Sequence, residues 1–264
     1  MRAVKAAAQI QSLPLLDRYQ QRRNPCYQFW MGIRFWGSGW NLFWRSPRLQ
    51  LISLIPMLLT AGLFAGVTVL SVNLTGQLLA ALPTSLPLWL VDLIEAISGG
   101  VVFLLITYLL FFPIMSVIAG PFREMLAHHT QVLLTDHRSD SGISGIAMLL
   151  DLVQLLLLQM VMLLTAFLVG WLVPGIGPFL SLLILMGLAS LDLLDPALSV
   201  RGYRFPAKVD FLCQHPALLL GFGFMSYVLL SLPLVNLLIL PVATIGATIL
   251  VLAVLRHEDT GEQS

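Results

Sequence analysis

Charge is absent from four long stretches of this 264-residue chain: residues 49–91, 96–122, 152–191 and 211–255 contain no Asp, Glu, Lys or Arg. Together they make up 155 residues. Overall 58% of the chain is hydrophobic and 10% charged, where a soluble domain carries about 25% charged residues. An ordinary soluble domain is excluded, and the charge pattern describes one membrane unit with short polar attachments. A helix crosses the hydrocarbon core with about 20 apolar residues at about 1.5 Å each. Residues 49–72 and 97–119 each satisfy that requirement. Between them Asn73, Thr75, Gln77, Pro83, Thr84, Ser85, Pro87, Asp92 and Glu95 mark a polar connection.

The third and fourth stretches are too long for one helix and carry backbone punctuation near their middles. The first break is Pro174-Gly175-Ile176-Gly177-Pro178; the second is Pro233-Leu234-Val235-Asn236 followed by Pro241. From Phe179 to Leu191 there are 13 residues, about 20 Å of helix, and from Val242 to Leu255 about 21 Å, against a core of about 30 Å. Two re-entrant helical hairpins, residues 152–191 and 211–255, are therefore expected in preference to four further full spans. Pro178 and Pro241 are placed to open half-helices, with Gly175, Gly177 and Asn236 supplying the turns. The N-terminal end of a half-helix at mid-depth favours an anion or a water-filled path; a capped tip with no ligand is the other reading.

Of fourteen basic residues, eight precede Leu49, two are Arg123 and Arg138, three are Arg201, Arg204 and Lys208, and the last is Arg256. None lies between Asn73 and Glu95 or at either break. The positive-inside rule then places both termini and both polar loops in the cytoplasm, with residues 73–95 outside, as in a bacterial inner-membrane protein. No apolar h-region precedes a cleavage site, so a secretory signal is not expected. Cys26 and Cys213 are expected to be reduced thiols. A formal charge of +1 gives no reason to expect nucleic acid as a partner.

Residues 1–26 read as a polar tail and 257–264 as another. Eight of the eighteen residues from Tyr27 to Trp44 are aromatic. At about 100° per residue Arg34, Ser38, Asn41 and Arg45 share one face, with Phe29, Ile33, Trp36, Trp40 and Phe43 opposite. Residues 27–47 are thus expected to form an aromatic interfacial helix at headgroup depth, its arginines meeting lipid phosphate or cytosol before the chain turns inward at Pro47; plain anchoring in the lipid bilayer is the expected role, with lipid recognition the lesser reading. His128, His129 and His137 lack metal-ligand spacing. With no P-loop, nucleophile elbow or dinucleotide motif either, neither an enzyme, a metal nor a cofactor is expected.

Several segments together resemble the CysZ-like sulfate permeases and the wider etoposide-induced-protein family. They are Gly39-Trp40-Asn41-Leu42 with Pro47 and Pro56, Ala119-Gly120-Pro121-Phe122, Val173-Pro174-Gly175-Ile176-Gly177, Asp195-Pro196, Arg201-Gly202-Tyr203-Arg204-Phe205, Gly221-Phe222-Gly223, and Pro233-Leu234-Val235-Asn236 with Pro241-Val242-Ala243 and Gly246-Ala247-Thr248. The resemblance covers residues 36–256 and implies an all-α membrane domain over residues 48–256. It further implies two long transmembrane helices, two hemi-penetrating hairpins, a cytoplasmic helical part and homo-oligomers. The sulfate branch binds its anion with a Gly-x-Arg-Arg motif at the start of the first long helix. Here the matching positions read Arg48-Leu49-Gln50-Leu51. The anion-binding candidates are accordingly Arg45, Arg48 and Gln50, the amide standing where a guanidinium fork would be stronger; the other and favoured reading of Arg45 and Arg48 is as positive-inside anchors. Two functions follow as expectations: a permease or channel for sulfate or a related anion, or a non-transporting scaffold or regulatory protein of the same family.

Overall fold

The structure is a computed structural model that describes residues 24–80, 87–107, 109, 112–135, 145–231 and 233–261. All of its regular elements are helices: α1 Pro25–Arg45, α2 Pro47–Ala80, α3 Leu88–Ile106, α4 Phe112–Thr135, α5 Gly145–Leu172, α6 Gly177–Val200, α7 Phe205–Gln214, α8 Pro216–Leu230 and α9 Pro233–Gly261. Among the described residues five helical segments are long and apolar enough to cross a membrane: Pro47–Ala80, Trp89–Ile106, Leu150–Leu172, Gly177–Val200 and Leu238–Arg256. The all-α membrane class expected from the charge-free stretches is what the chain forms.

Helix boundaries differ from the expectation wherever polar residues stand inside a helix. α2 runs eight residues beyond Val72, so Asn73, Thr75 and Gln77 are helical, and α3 begins at Leu88 with Asp92 and Glu95 exposed on its first turns. α6 continues through Asp192 and Asp195 to Val200, giving 24 residues and a length of about 36 Å. The length argument for a half-depth arm at this position therefore lapses. The fourth stretch bends twice. α7 and α8 meet at His215 at 97°, and the next turn falls at Ser231 with Pro233 opening α9. Pro241 is inside α9, where proline removes one ladder hydrogen bond but is tolerated in apolar helices. α8 has 15 residues, about 22 Å, too short for a bilayer core of about 30 Å.

By internal packing the chain divides into two units, one made of Met1–Leu51 with Arg123–Ser264, the other Ile52–Phe122. In the second unit α2 and α3 run antiparallel, since Thr75 Cγ2 lies 3.6 Å from the place a Cβ on Gly99 would take and the rings of Phe64 and Phe103 meet edge to face at 5.9 Å. In the first unit α9 is the central helix. From Ile239 to Leu255 almost every residue is buried, and α1, α6 and α8 pack around it.

α1 is capped by Asn24, whose Oδ1 accepts the Cys26 N–H at 3.2 Å, and Pro25 opens its first turn. Its seat is a backbone-to-backbone contact. A Cβ on Gly221 would strike Phe29 O and lie 2.7 Å from Phe29 C, and one on Gly39 would come within 2.6 Å of both Val242 O and Gly246 N. Glycine at these positions lets α8 and α9 approach α1 at main-chain distance. Consequently Met31, Phe35, Trp36, Leu42 and Phe43 are buried in protein. Trp36 and Phe43 leave the face assigned to the headgroups, while Trp30, Trp40 and Trp44 stay exposed.

Candidate functional site

Two polar places stand out in the larger unit: the elbow between α1 and α2, and an ion cluster joining α4, α5, α6 and α7.

The elbow is Arg45-Ser46-Pro47-Arg48. Ser46 N–H donates to Phe43 O at 3.3 Å, ending α1, and Ser46 O accepts from the N–H groups of Leu49 and Gln50 at 3.0 and 3.2 Å, starting α2. Gln50 Nε2 donates to Phe43 O and Trp44 O, each at 3.2 Å. The amide thus satisfies two carbonyls that the end of α1 would leave open, and it staples the turn. Leu49 is wholly buried and Leu51 is 64% exposed. Of the four positions matching the anion motif, only Arg48 presents a charge. Arg45 and Arg48 are both exposed, and Ser46 Oγ is buried with no hydrogen-bond partner. The sequence from Arg18 to Val91 holds no acidic residue, so the field at this elbow favours anions.

The first hairpin tip closes on itself. Gly175 takes φ +87°, a conformation open to glycine, and the turn spans Pro174 to Ile176. Gly177 N–H donates to Val173 O at 2.9 Å, Leu180 N–H donates to Ile176 O at 3.1 Å, and Pro178 has no N–H to offer. Little of the expected helix-end donor set remains for a ligand. Asn236 and Pro241, expected at the second tip, both lie within α9. The structure gathers Arg45, Arg48 and Gln50 at one elbow and leaves the tip residues as architecture.

The ion cluster is built by a tight return. α6 ends at Arg201, Gly202 takes φ +80°, and Tyr203 N–H donates back to Leu198 O at 3.1 Å. α7 then carries Lys208 inward, where its side chain is only 4% exposed. Lys208 Nζ lies 2.7 Å from Asp195 Oδ1, 2.8 Å from Ser199 Oγ and 3.6 Å from Asp151 Oδ2. Asp151 Oδ1 meanwhile accepts the Phe205 N–H at 3.0 Å, so a carboxylate on α5 caps α7. Arg123 Nη1 pairs with Asp192 Oδ1 at 3.2 Å, and Arg123 Nη2 donates to Asp192 O.

Glu124 on α4 is half-buried, and its carboxyl is held above its ordinary 4.5 by that burial first and by the nearby charge of Asp195 second, with Lys208 opposing. Three carboxyls therefore share one ammonium, and an anion gains nothing here. For such a group the stability contribution is fully present below pH 4.5 and is lost as pH rises through the raised value. Glu124→Gln removes that loss. Thermal unfolding in detergent from pH 5 to pH 8 should show the variant's advantage growing with pH; an advantage that shrinks would contradict the assignment.

Sequence reading missed this cluster because its members are far apart in the chain. The available signal was a lone lysine on a short helix together with Asp192 and Asp195 following an apolar run. Among the described residues no group of three or more His, Cys, Asp and Glu is placed to hold a metal. His128 and His129 stack edge to face at 5.9 Å.

The family model described as sulfate transporter CysZ/etoposide-induced protein 2.4 matches residues 35–241. A curated relative, the sulfate transporter CysZ of Pectobacterium atrosepticum, is 28% identical over 236 residues, covering 82% of each chain. The residues matched take in the elbow, the ion cluster and the first hairpin. With its apolar helices and its two-helix unit, the chain belongs to the sulfate transporter CysZ/etoposide-induced protein 2.4 family, a family of membrane transporters rather than enzymes.

Proposed function

We propose that the protein is a permease or channel for sulfate or a closely related oxyanion in a bacterial inner membrane. Both of its termini face the cytoplasm and the α2–α3 connection lies outside. The observation that carries the reading is the elbow, where two exposed arginines flank the start of a 34-residue apolar helix next to an unpartnered, buried hydroxyl. Arg45 and Arg48 supply charge-assisted donors at the helix N-terminus, where the dipole also favours an anion. The relative's sulfate activity, named for a chain 28% identical, points to the same class of solute. The negative ion cluster serves to lock α4, α5, α6 and α7 together outside the anion's route.

The short α8 and the long α9 form the better candidate for a re-entrant pair. In the first hairpin the exposed tip, with Ile176 and Phe179 each 64% open, is a surface for lipid or for a second copy. We take homo-oligomers as the working form.

Purified protein in liposomes should pass sulfate above the empty-vesicle rate. Arg48→Ala should weaken half-saturation about ten- to a hundred-fold, the scale of a lost charge-assisted hydrogen bond. Gln50→Glu should also lower flux, because it removes the amide donors from Phe43 O and Trp44 O and adds an acid to the elbow. If wild-type protein passes no sulfate, thiosulfate or chloride, the permease reading falls. The non-transporting scaffold, which the missing Gly-x-Arg-Arg arginines favour, then takes its place.

A further inference from the structure

The exposed side of α1 carries a pattern that extends well beyond the elbow. With the opposite face buried on α8 and α9, the outward residues are Trp30, Arg34, Trp40, Trp44 and Arg45, continued past the turn by Arg48. At about 100° per residue Trp30, Arg34, Trp44 and Arg45 fall within a wedge of about 100°, and Trp40 borders it. The rings form a ladder. Trp36 stacks on Trp40 at 6.1 Å, and Trp40 meets Trp44 edge-on at 5.9 Å. Trp30 is 65% exposed and Trp44 55%, and outward indole rings on a membrane protein prefer the headgroup boundary.

The arginines fix the depth at which this helix sits. Arg34 and Arg45 are separated by about 16 Å along the axis, too short to reach both headgroup layers across a core of about 30 Å. An exposed guanidinium in hydrocarbon is disfavoured strongly. Both must lie in one headgroup layer, so α1 runs along the membrane surface and keeps its tryptophans at the same level. The glycine contacts to α8 and α9 hold that orientation rigidly.

From this geometry we propose that the α1 stripe is a docking surface for anionic phospholipid headgroups, Arg34 taking the phosphate beside the ring of Trp30, one turn away on the same face, with Trp44 and Arg45 offering a second such pair near the helix's end. Charge complementarity selects the occupant, because the stripe is positive and the sequence from Arg18 to Val91 is free of acids. A guanidinium fork matches a phosphodiester in two parallel hydrogen bonds, and indole rings prefer the headgroup boundary. The stripe shares Arg45 and Arg48 with the elbow, but its key residue, Arg34, lies outside that site, so the two readings are tested separately.

The test uses delipidated full-length protein in detergent and native mass spectrometry with short-chain phosphatidylglycerol or phosphatidylcholine at equal concentrations. Wild type should bind phosphatidylglycerol about ten-fold more tightly than phosphatidylcholine, the scale of one charge-assisted contact. Arg34→Gln and Trp30→Leu should each bring the two lipids close to parity. Both positions are exposed, so the variants should unfold at the wild-type temperature, and Arg34→Gln should leave sulfate flux in pure phosphatidylcholine liposomes unchanged. Equal binding of the two lipids by wild type, or preference retained in both variants, would overturn the proposal. Displacement of phosphatidylglycerol by millimolar inorganic phosphate, or loss of flux in Arg34→Gln, would assign the stripe to free anions and overturn it as well.

Discussion

Lys208→Met should destabilise the protein by about 3–5 kcal/mol, the usual cost of removing one partner from a buried ion pair. Lys208 Nζ sits 2.7 Å from Asp195 and 3.6 Å from Asp151 with its side chain 4% exposed. The variant leaves those two carboxylates, each about four-fifths buried, facing Glu124 without a cation. Glu124, already raised, loses the one influence that opposed its rise and moves further up. The loss should therefore be largest at high pH and smaller at low pH, where the carboxyls protonate. Pairing the change with Asp195→Leu removes much of the orphaned charge and should recover part of the stability, as expected when a buried pair is replaced on both sides. Chemical or thermal unfolding in detergent measures all three proteins. A single variant within about 0.5 kcal/mol of wild type, the range of inconsequential surface changes, would show that Lys208 does not hold α5, α6 and α7 together.

The same lysine shows where sequence reading reached its limit. Apolar runs announced the helices, because the absence of charge over tens of residues leaves few alternatives in a bilayer. Flanking charges do not mark where these helices end. Asp192 and Asp195 look like the end of a span until Arg123 and Lys208, from other parts of the chain, are seen to neutralise them inside a continuing helix. Proline misled in the same way. Pro25, Pro47, Pro216 and Pro233 each open a helix, whereas Pro56, Pro121, Pro196 and Pro241 lie inside one. Nothing local in the sequence distinguishes the two sets. The right-angle bend at His215 was likewise silent. Of the anion candidates, Arg45 and Arg48 were legible from charge at the helix start. The role of Gln50 was not, since an amide that closes a turn and an amide that binds a ligand have the same sequence.

The second large effect is expected at Gly221, and it tests the seat of α1 directly. Gly221→Ala adds one methyl group, and the structure leaves that methyl no room: it would strike Phe29 O, with Phe29 C at 2.7 Å and Phe29 Cα at 2.9 Å. These are backbone atoms inside a helix, so no side chain can rotate away, and relief requires α1 to move off α8. The loss should reach or exceed the upper end of the about 1–3 kcal/mol typical of overpacking. Gly37→Ala makes the same chemical change on the same helix pair's exposed side, where nothing lies within 4 Å. It should stabilise α1 by about 0.5–1 kcal/mol through helix propensity alone. Four of the six tryptophans are in α1, and Trp36 is buried at 6% exposure, so displacement of α1 should shift the fluorescence of Gly221→Ala to the red while Gly37→Ala keeps the wild-type spectrum. Opposite signs for two identical substitutions distinguish a steric seat from a general intolerance of change in this helix. If both variants behave alike, α1 does not rest on α8 through Gly221, and the rigid presentation of its Trp and Arg stripe loses its support.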